Sequence, residues 1–271
     1  MSLTVPFYWV DAFTDRPFGG NPAAVCILDR ELSEDLMQTL AFEFGLSETA
    51  FVWPKGELWG LRWFTPNKEV RLCGHATVGA ATALWAHQGG GSSGQELIFD
   101  TLSGKLTAKR DSQLIELCFP SRPPTAQPIP NGLCEAVSIK RETVVYCGNS
   151  GDDYLVVLPS LKSLQDLNPD FRALEQVETR GTIFTTRDAP DNYDIASRFF
   201  APRFGVDEDP VTGSAHCCLA PYWAQVLGKS KLQAIQLSQR QGKLEIEVSG
   251  DRVYLRGQSV LICDGRVNLP T

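Results

Sequence analysis

Apolar and polar residues along the chain follow two periods, one typical of strands and one typical of amphipathic helices. Several segments combine strand length with apolar runs or with polar–apolar alternation, and glycine or proline bounds some of them. We predict strands at 7–13, 23–28, 47–53 and 60–66. Between them, 33–45 predicts a helix with Ser33 as N-cap, acidic residues in the first turn and Gly45 at its end.

Two further segments are apolar without a polar face, which is typical of a helix buried on nearly all sides. They are Ala76–Trp85 and Ala215–Trp223, and we expect Pro221 to kink the second. The segment 242–257 predicts a hairpin. This order of elements fits the α+β class, with a mixed sheet wrapped around a central apolar helix.

The chain also contains an internal repeat. LRWFTP at 61–66 is echoed by SRFFAP at 197–202, with arginine, an aromatic pair and proline in the same order. Trp85 and Trp223 are 138 positions apart (223 minus 85), and the same offset separates the glycines of two GKL motifs (242 minus 104). A constant offset at separate landmarks indicates two homologous, pseudo-symmetric halves.

The repeat predicts two domains of similar architecture. The N-terminal domain is expected at 1–118, with the C-terminal strand 259–271 as a candidate to complete it. The second domain is expected at 131–258. Between them, 119–130 is rich in proline, which sustains neither a helix nor a central strand, so we predict a linker there.

Composition narrows the class of function. The 271 residues carry a formal net charge of −7 without a run of Lys or Arg, so we expect no nucleic-acid partner. The longest small or apolar run, GHATVGAATALWA, is shorter than the ~20 residues that span a bilayer, and the first residues lack a signal-peptide pattern. We therefore expect a soluble, cytoplasmic protein without a membrane partner.

Cysteine and histidine spacing predicts no metal site. Eight cysteines without an export signal are expected to be reduced thiols. No C-x-x-C pair occurs, and the three histidines form neither H-x-H nor H-E-x-x-H. A zinc site would therefore have to assemble from distant parts of the chain.

In each half a polar loop precedes the predicted buried helix: EVRLCGHAT at 69–77 and DEDPVTGSAH at 207–216. Amides at helix starts are unpaired and partly positive. Two pseudo-symmetric domains are expected to bring these loops face to face across a cleft, where they bind an anion such as a carboxylate. Gly74, Gly213 and Ser214 let a ligand approach the backbone.

Each loop taken alone is also compatible with a structural role. Asp209 is typical of a turn or N-cap residue, and Ser214 lacks the G-x-S-x-G surroundings of a nucleophile. His75 is either a core histidine or a site residue. Cys217 and Cys218 fall inside the predicted helix and are expected to pack as small apolar groups.

Glu48 is the only carboxylate in GLSETAFVW, a stretch of otherwise apolar or small residues after a helix end. If it points into a cleft, desolvation raises its pKa, which suits a group that takes a proton at one atom and returns it at another. If it points to solvent, it is an ordinary strand-surface acid. Spacing alone leaves both orientations open.

Five motifs together resemble the phenazine-biosynthesis PhzF-like isomerases. They are DAFT with GGNPAAVCIL, LSETAF, LRWFTPNKEVRLCGHATVGAA and FFAPRFGVDEDPVTGSAH, and they cover nearly the whole chain in order. The resemblance implies a diaminopimelate epimerase-like fold with the site between two domains, no metal or organic cofactor, a small-molecule substrate and a homodimer. It also implies acid–base catalysis by one glutamate.

The resemblance assigns roles residue by residue. The glutamate of the E-T-A-F motif that shuttles the proton corresponds to Glu48, and the histidine of the G-H motif corresponds to His75. The aspartate and serine of D-P-x-T-G-S correspond to Asp209 and Ser214, as substrate-orienting and proton-relay partners. Asn21 of the G-N-P motif is expected near the site.

Two alternatives remain open. The epimerase relatives use two cysteines, and Cys73 stands beside Gly74 much as one of theirs does, so a two-thiol amino acid racemase would use Cys73 and Cys217. Cys217 lies three residues beyond Ser214, nearly one helical turn of about 5.4 Å deeper, which favours one-base chemistry through Glu48. The other alternative is a binding or scaffold protein that retained the fold.

Overall fold

Strands and helices alternate through the structure, a computed structural model that describes residues 3–269. The strands are β1 (Leu3–Ala12), β2 (Asn21–Ile27), β3 (Glu48–Lys55), β4 (Leu58–Phe64), β5 (Glu69–Val70), β6 (Glu96–Thr101), β7 (Gly104–Asp111), β8 (Leu114–Pro120), β9 (Thr125–Ala126), β10 (Tyr146–Asn149), β11 (Asp153–Val157), β12 (Gly181–Thr186), β13 (Ile195–Phe200), β14 (Lys231–Gln236), β15 (Gly242–Ser249), β16 (Arg252–Gly257) and β17 (Ser259–Leu269). The α-helices are α1 (Glu34–Phe44), α2 (Gly74–His87), α3 (Leu133–Ala136), α4 (Leu161–Gln165), α5 (Phe171–Glu175) and α6 (Gly213–Leu227). The predicted α+β class is confirmed.

The chain divides into two compact units. The first comprises the residues up to Cys118 together with those from Arg256 onward, and the second comprises Phe119–Leu255. β17 joins the first unit by pairing antiparallel with β1; residues 270 and 271 of the predicted 259–271 strand lie outside the described residues. The predicted linker 119–130 lies within the second unit, where β9 pairs with β10. The assignment of two homologous domains joined by a linker stays a prediction.

The two units contain the same series of strand pairings. In the first unit, β1–β2 is antiparallel, β2–β3 parallel, β3–β4 antiparallel, β4–β6 parallel and β6–β7 antiparallel. In the second unit, β10–β11, β11–β12, β12–β13, β13–β14 and β14–β15 follow with the same alternation. Each parallel pair is joined by a connection that contains a helix, as parallel crossovers require.

In the first unit, the sheet carries helices on both faces. β2 is apolar at successive positions because alternate side chains of a strand point to opposite faces. Cys26 packs in the core cluster that includes Met37 of α1. A Cβ added at Gly79 of α2 would lie only 3.2 Å from the Cβ of Ala23, so glycine at this position lets the buried helix approach the strand closely.

The ends of α1 follow the sequence pattern. Ser33 occupies the N-cap position, although within the described residues its side chain caps none of the helix amides. Gly45 adopts the left-handed conformation, with φ of 64°, and its N–H donates to Ala41 O at 3.2 Å. This left-handed cap is a conformation that glycine adopts without a steric penalty, and it ends the helix three residues before Glu48 (48 minus 45).

The helix α6 continues through Pro221 rather than ending there. Proline has no N–H, so the carbonyl of Cys217, four residues earlier, loses its helical partner. The backbone N–H of Arg122 donates to that carbonyl at 3.0 Å. The proline-rich segment therefore supplies the hydrogen bond that the helix lacks.

The repeated arginine–aromatic motif has a structural role in each unit. Arg62 lies 5.2 Å from the ring centroid of Phe64 and forms an ion pair with Glu69 at 2.6 Å. Arg198 lies 4.9 Å from the ring centroid of Phe200 and forms an ion pair with a glutamate, Glu208, at 2.8 Å. Each arginine reaches the aromatic side chain two positions along the same strand, on the same face.

None of the helices in the described part of the chain is both long enough and apolar enough to cross a membrane.

Candidate active site

The first candidate site lies where β2, β3 and α2 begin. β2 and β3 run parallel, with Ala23 beside Glu48, so Asn21 and Glu48 are both at the starting edge of the sheet. α2 begins at Gly74, and His75 in its first turn is only 5% exposed. Parallel pairing thus brings the first residues of two strands to the start of the central helix.

These side chains form a hydrogen-bonded chain. The Nδ2 of Asn21 donates to Nδ1 of His75 at 3.1 Å, and Ser47 Oγ donates to Oδ1 of the same asparagine at 3.5 Å. The other ring nitrogen of His75, Nε2, lies 3.2 Å from Oε2 of Glu48. Since an amide NH₂ only donates, Nδ1 accepts and the ring proton sits on Nε2, where it donates to the Glu48 carboxylate.

His75 is neutral in this chain of hydrogen bonds. Burial lowers the pKa of His75 to about 3, because the charged imidazolium loses its hydration. The short contact with Glu48 is therefore a hydrogen bond from a neutral imidazole rather than an ion pair. Because burial disfavours its protonation, His75 is a weak base, which makes it suited to orienting the carboxylate.

Glu48 is the more accessible member of this group. Its side chain is 18% exposed, compared with 6% for the His75 side chain. Cys73, the residue before α2, is buried, and its Sγ lies 3.5 Å from Nδ1 of His75 and 3.9 Å from Nε2. One ligand atom from each of Glu48, Cys73 and His75 lies within 4.8 Å of the others.

The second candidate site surrounds the start of α6. The Oγ1 of Thr212, the residue before the helix, donates to Oδ2 of Asp209. Gln236 at the end of β14 is fully buried and holds this loop: its Oε1 accepts from the N–H of Thr212 at 2.9 Å, and its Nε2 donates to Asp209 O at 2.7 Å. Asp209 is half-buried, with its carboxylate oriented by the threonine hydroxyl.

A buried ion pair adjoins the same helix start. Arg180 binds the carboxylate of Asp153 through Nε and Nη2, and its Nη2 also donates to Oγ of Ser214 at 3.1 Å. Burial raises the pKa of Asp153, and the hydrogen bonds from Arg180 oppose that rise. Burial alone lowers the pKa of Arg180, but the hydrogen bond and charge of Asp153 outweigh it and raise the pKa overall. The contact joins two nitrogens of Arg180 to the two oxygens of one carboxylate, which is the geometry of a bidentate pair.

The contact with Arg180 determines whether the Ser214 hydroxyl accepts or donates a hydrogen bond. A guanidinium group only donates, so Ser214 Oγ accepts this hydrogen bond. The hydroxyl proton of Ser214 cannot be donated back to the guanidinium, so it can be donated only to a different acceptor. Arg180 thus presents Ser214 as a hydrogen-bond donor at the start of the helix.

The two thiols of α6 lie inside the helix. Cys217 is buried, and its Sγ donates to Gly213 O at 3.5 Å within the same turn. Burial raises the pKa of Cys218 to about 12, so this thiol stays protonated. Both positions agree with packing as small apolar groups.

The structure thus distributes the predicted site residues over two groups. Asn21, Glu48, Gly74 and His75 form the first group, and Asp209, Gly213 and Ser214 form the second. Sequence reasoning missed Arg180, Asp153 and Gln236. The sequence offers one signal for these two charged residues: Asp153 is the first residue of the strand DYLVV, and Arg180 directly precedes the strand GTIFTT.

Comparison with known proteins identifies the relatives of the chain. A family model described as phenazine biosynthesis-like protein, PhzC-PhzF, matches residues 10–265. An uncharacterized isomerase of Halalkalibacterium halodurans is 48% identical over 263 residues, which cover 96% of this chain and 97% of that protein. The crystal structure of a PhzF-family phenazine biosynthesis protein from Enterococcus faecalis has a TM-score of 0.92 at 38% identity, with 98% of this chain and 100% of that chain covered.

More distant structures share the fold. A probable proline racemase from Agrobacterium radiobacter has a TM-score of 0.62 at 10% identity and covers 98% of this chain and 93% of that chain, a likeness that concerns the fold alone. The fold and the relatives define the protein as an isomerase with an epimerase-like architecture. The chain belongs to the phenazine biosynthesis-like (PhzC-PhzF) family, as its motifs predict.

Proposed function

We propose that this isomerase moves a proton within a small cyclic or amino acid-like carboxylate, with Glu48 as the single acid/base. The observation that carries the proposal is the 3.2 Å contact between Oε2 of Glu48 and Nε2 of the neutral His75. A buried donor holds one oxygen of the carboxylate, and the partly exposed side chain is left in reach of a ligand.

The proposed reaction balances without a redox step. Glu48 takes the proton from one carbon of the substrate as that C–H bond breaks, and the electron pair is delocalised within the substrate. Glu48 then returns the proton to another carbon as a new C–H bond forms. No electron acceptor is needed, so the proposal includes no cofactor and no metal.

His75 and Asn21 are proposed to position the base. The hydrogen bond from Nε2 orients the Glu48 carboxylate, and the bond from Asn21 Nδ2 keeps the ring proton on Nε2. Gly74, at the start of α2, offers a backbone amide for the substrate carboxylate. In this proposal His75 contributes to catalysis by holding Glu48 in position.

Asp209, Gly213 and Ser214 are proposed as the second set of substrate-binding and relay groups. Support comes from the start of α6, where Thr212 and Gln236 hold the Asp209 loop. The expectation that one ligand contacts both helix starts stays a prediction, as do the homodimer and the cytoplasmic location. A ligand that binds more weakly to both Glu48→Gln and Asp209→Asn would support the prediction that one ligand contacts both helix starts.

The test begins with a thermal-shift screen of small cyclic and amino acid carboxylates, because a binder stabilises the folded protein by mass action. Each binder is then incubated with wild type and Glu48→Gln in deuterated water. We expect the variant to lose roughly 10²- to 10⁴-fold in the rate of substrate conversion. Glu57→Gln, at an exposed turn residue, is the matched control and is expected to keep full activity.

Equal turnover by Glu48→Gln and wild type would contradict the proposal. The two-thiol alternative makes a different prediction, since it requires solvent deuterium at a stereocentre and loss of activity in both Cys73→Ser and Cys217→Ser. Activity in both of these single variants excludes that alternative.

A further inference from the structure

We propose that Phe18 is a specificity-determining residue, whose ring packs on the apolar face of a ligand held at Glu48 and His75. Phe18 lies in the loop 13–20, which joins β1 to β2 and ends at Asn21. This role rests on the proposed function, which places the ligand at Glu48. It adds an apolar contact to a site that otherwise consists of polar side chains.

The fold leaves the ring of Phe18 in solvent. The residue is 76% exposed, more than any other large apolar residue in the described part of the chain. Burial of an aromatic ring stabilises a protein or a complex, so this ring still has apolar area to contribute to binding. A single exposed apolar side chain is common on protein surfaces, so a second observation is needed to assign a role.

The backbone provides that second observation. Phe18 adopts the left-handed conformation, with φ of 66°. A bulky residue rarely occupies this region, because its Cβ approaches a backbone oxygen. Phe13 in the same loop has a φ of 61°, but it is fully buried, so packing compensates its strain. Phe18 keeps the strain without burial, which is typical of functional sites.

Two features fix the loop against β1. Oδ2 of Asp11, which is only 1% exposed, accepts a hydrogen bond from the N–H of Phe18 at 2.8 Å. Gly20 is also left-handed, with φ of 61°, and a Cβ added there would collide with the carbonyl oxygen of Ala12. The backbone of Phe18 is therefore ordered before a ligand binds, which reduces the entropy lost on binding.

The loop leaves the sheet at the edge that carries the first candidate site. Ala12 of β1 pairs with Asn21 of β2, and Nδ2 of Asn21 donates to His75 at 3.1 Å. Phe18 is three residues from Asn21, which is a span of at most about 10 Å along the chain. This span keeps the Phe18 ring within reach of a ligand that contacts Glu48, the hydrogen-bond partner of His75.

The chemistry of the ring indicates what it recognises. Phe18 offers no side-chain hydrogen bond, so it distinguishes ligands by shape and apolar area, while the polar side chains hold the charged groups. An aromatic ring packs best on another flat surface. We therefore expect a carboxylate attached to an unsaturated ring to bind more tightly than an open-chain carboxylate of the same size.

The test compares cyclohex-1-ene-1-carboxylate with heptanoate, which has the same number of carbons and the same charge. Calorimetry measures both dissociation constants for wild type and Phe18→Ala. We expect wild type to prefer the ring compound, and Phe18→Ala to bind it about 3- to 10-fold more weakly while heptanoate changes less. Phe42→Ala is the matched control, because Phe42 on α1 is 68% exposed, and it is expected to leave both affinities unchanged.

Phe18→Gly separates ligand contact from a structural role. Glycine relieves the left-handed strain, so we expect the midpoint of urea unfolding to stay the same or rise while affinity for the ring compound still falls. A lower midpoint would show that the ring stabilises the fold itself and would count against the proposal. The role of Phe18 is overturned if wild type does not prefer the ring compound, or if Phe18→Ala binds it as tightly as wild type.

The outcomes separate the role of Phe18 from the proposed function. Weaker binding by Phe18→Ala together with full turnover by Glu48→Gln supports Phe18 as a ligand contact and counts against Glu48 as the base. Loss of turnover in Glu48→Gln together with equal affinity of wild type and Phe18→Ala leaves the base in place and overturns the role of Phe18.

Discussion

The two compact units share a scaffold but differ in the electrostatics of their central helix starts. Both alternate antiparallel and parallel strand pairs in the same order, and both stack an arginine on an aromatic side chain two positions away. At the start of α2, the neutral His75 donates to Glu48. At the start of α6, Arg180, which is paired with Asp153, donates to Ser214.

The difference shows which parts of a repeated unit are constrained by packing. The arginine–aromatic motif and the small residues of the central helices pack against the sheet, and both units contain them. The polar side chains at the helix starts contribute little to that packing and differ between the units. One start presents a carboxylate held by a neutral ring, and the other presents a hydroxyl held by a guanidinium group.

The largest effect on stability is expected when the charged start of α6 loses its cation. Arg180→Met leaves Asp153, 1% exposed, without its ionic partner. Breaking a buried pair in this way costs about 3–5 kcal/mol, and the lower end is expected because 34% of the Arg180 side chain is exposed. Urea unfolding followed by circular dichroism measures the loss.

The neighbouring pair provides the matched control. Arg122 forms an ion pair with Asp152, and both side chains are nearly half exposed, so Arg122→Met is expected to cost no more than about 1 kcal/mol. Asp153→Asn combined with Arg180→Met is expected to recover much of the loss. If Arg180→Met and Arg122→Met lower the unfolding free energy equally, the pair at the start of α6 contributes no more than an exposed ion pair. That result would contradict the expected importance of the Arg180 charge at this helix start.

An intermediate effect is expected from pH, because both helix starts bury a neutral histidine. Burial lowers the pKa of His75 to about 3 and of His216 to about 4, from an ordinary value of 6.5. Below about pH 6.5 the unfolded chain binds protons that the folded chain does not, so stability falls as the pH decreases. Each histidine is expected to contribute roughly 2 kcal/mol of this loss between pH 7 and pH 5.

Unfolding free energies of the wild type and His216→Gln at these two pH values test this expectation. The variant is expected to lose about half of the pH-dependent difference, whatever its stability at pH 7. His87→Gln, at an exposed position that ends α2, is the control. An unchanged pH-dependent difference in His216→Gln would show that folding does not lower the pKa of this histidine.

The smallest effect on stability is expected at Pro221. Of the two central helices, α6 contains this proline and α2 contains none. In Pro221→Ala the new N–H competes with Arg122 N–H for the carbonyl of Cys217. We expect a change of less than about 1 kcal/mol in unfolding free energy and faster hydrogen exchange at the Arg122 amide. Unaltered exchange at that amide would show that the proline does not hold this segment on the helix.

Much of the fold follows from local patterns. The predicted strands at 7–13, 23–28, 47–53 and 60–66 overlap β1 to β4, and Gly45 ends α1 as its position predicts. The site was predicted less completely. The motifs point to Glu48 and His75, which lie 3.2 Å apart, but not to Arg180, because it borders β12 at a distance of 34 positions from Ser214.

The sequence by itself determined part of the elements, the internal repeat and the family, since periodicity and motif order depend on neighbouring residues. Tertiary structure alone decided which polar groups meet. The parallel register of β2 and β3 brings Asn21 and Glu48 to one edge of the sheet, beside His75 at the start of α2. Burial there lowers the pKa of His75 and makes it a donor, and burial depends on contacts between distant segments that no local pattern contains.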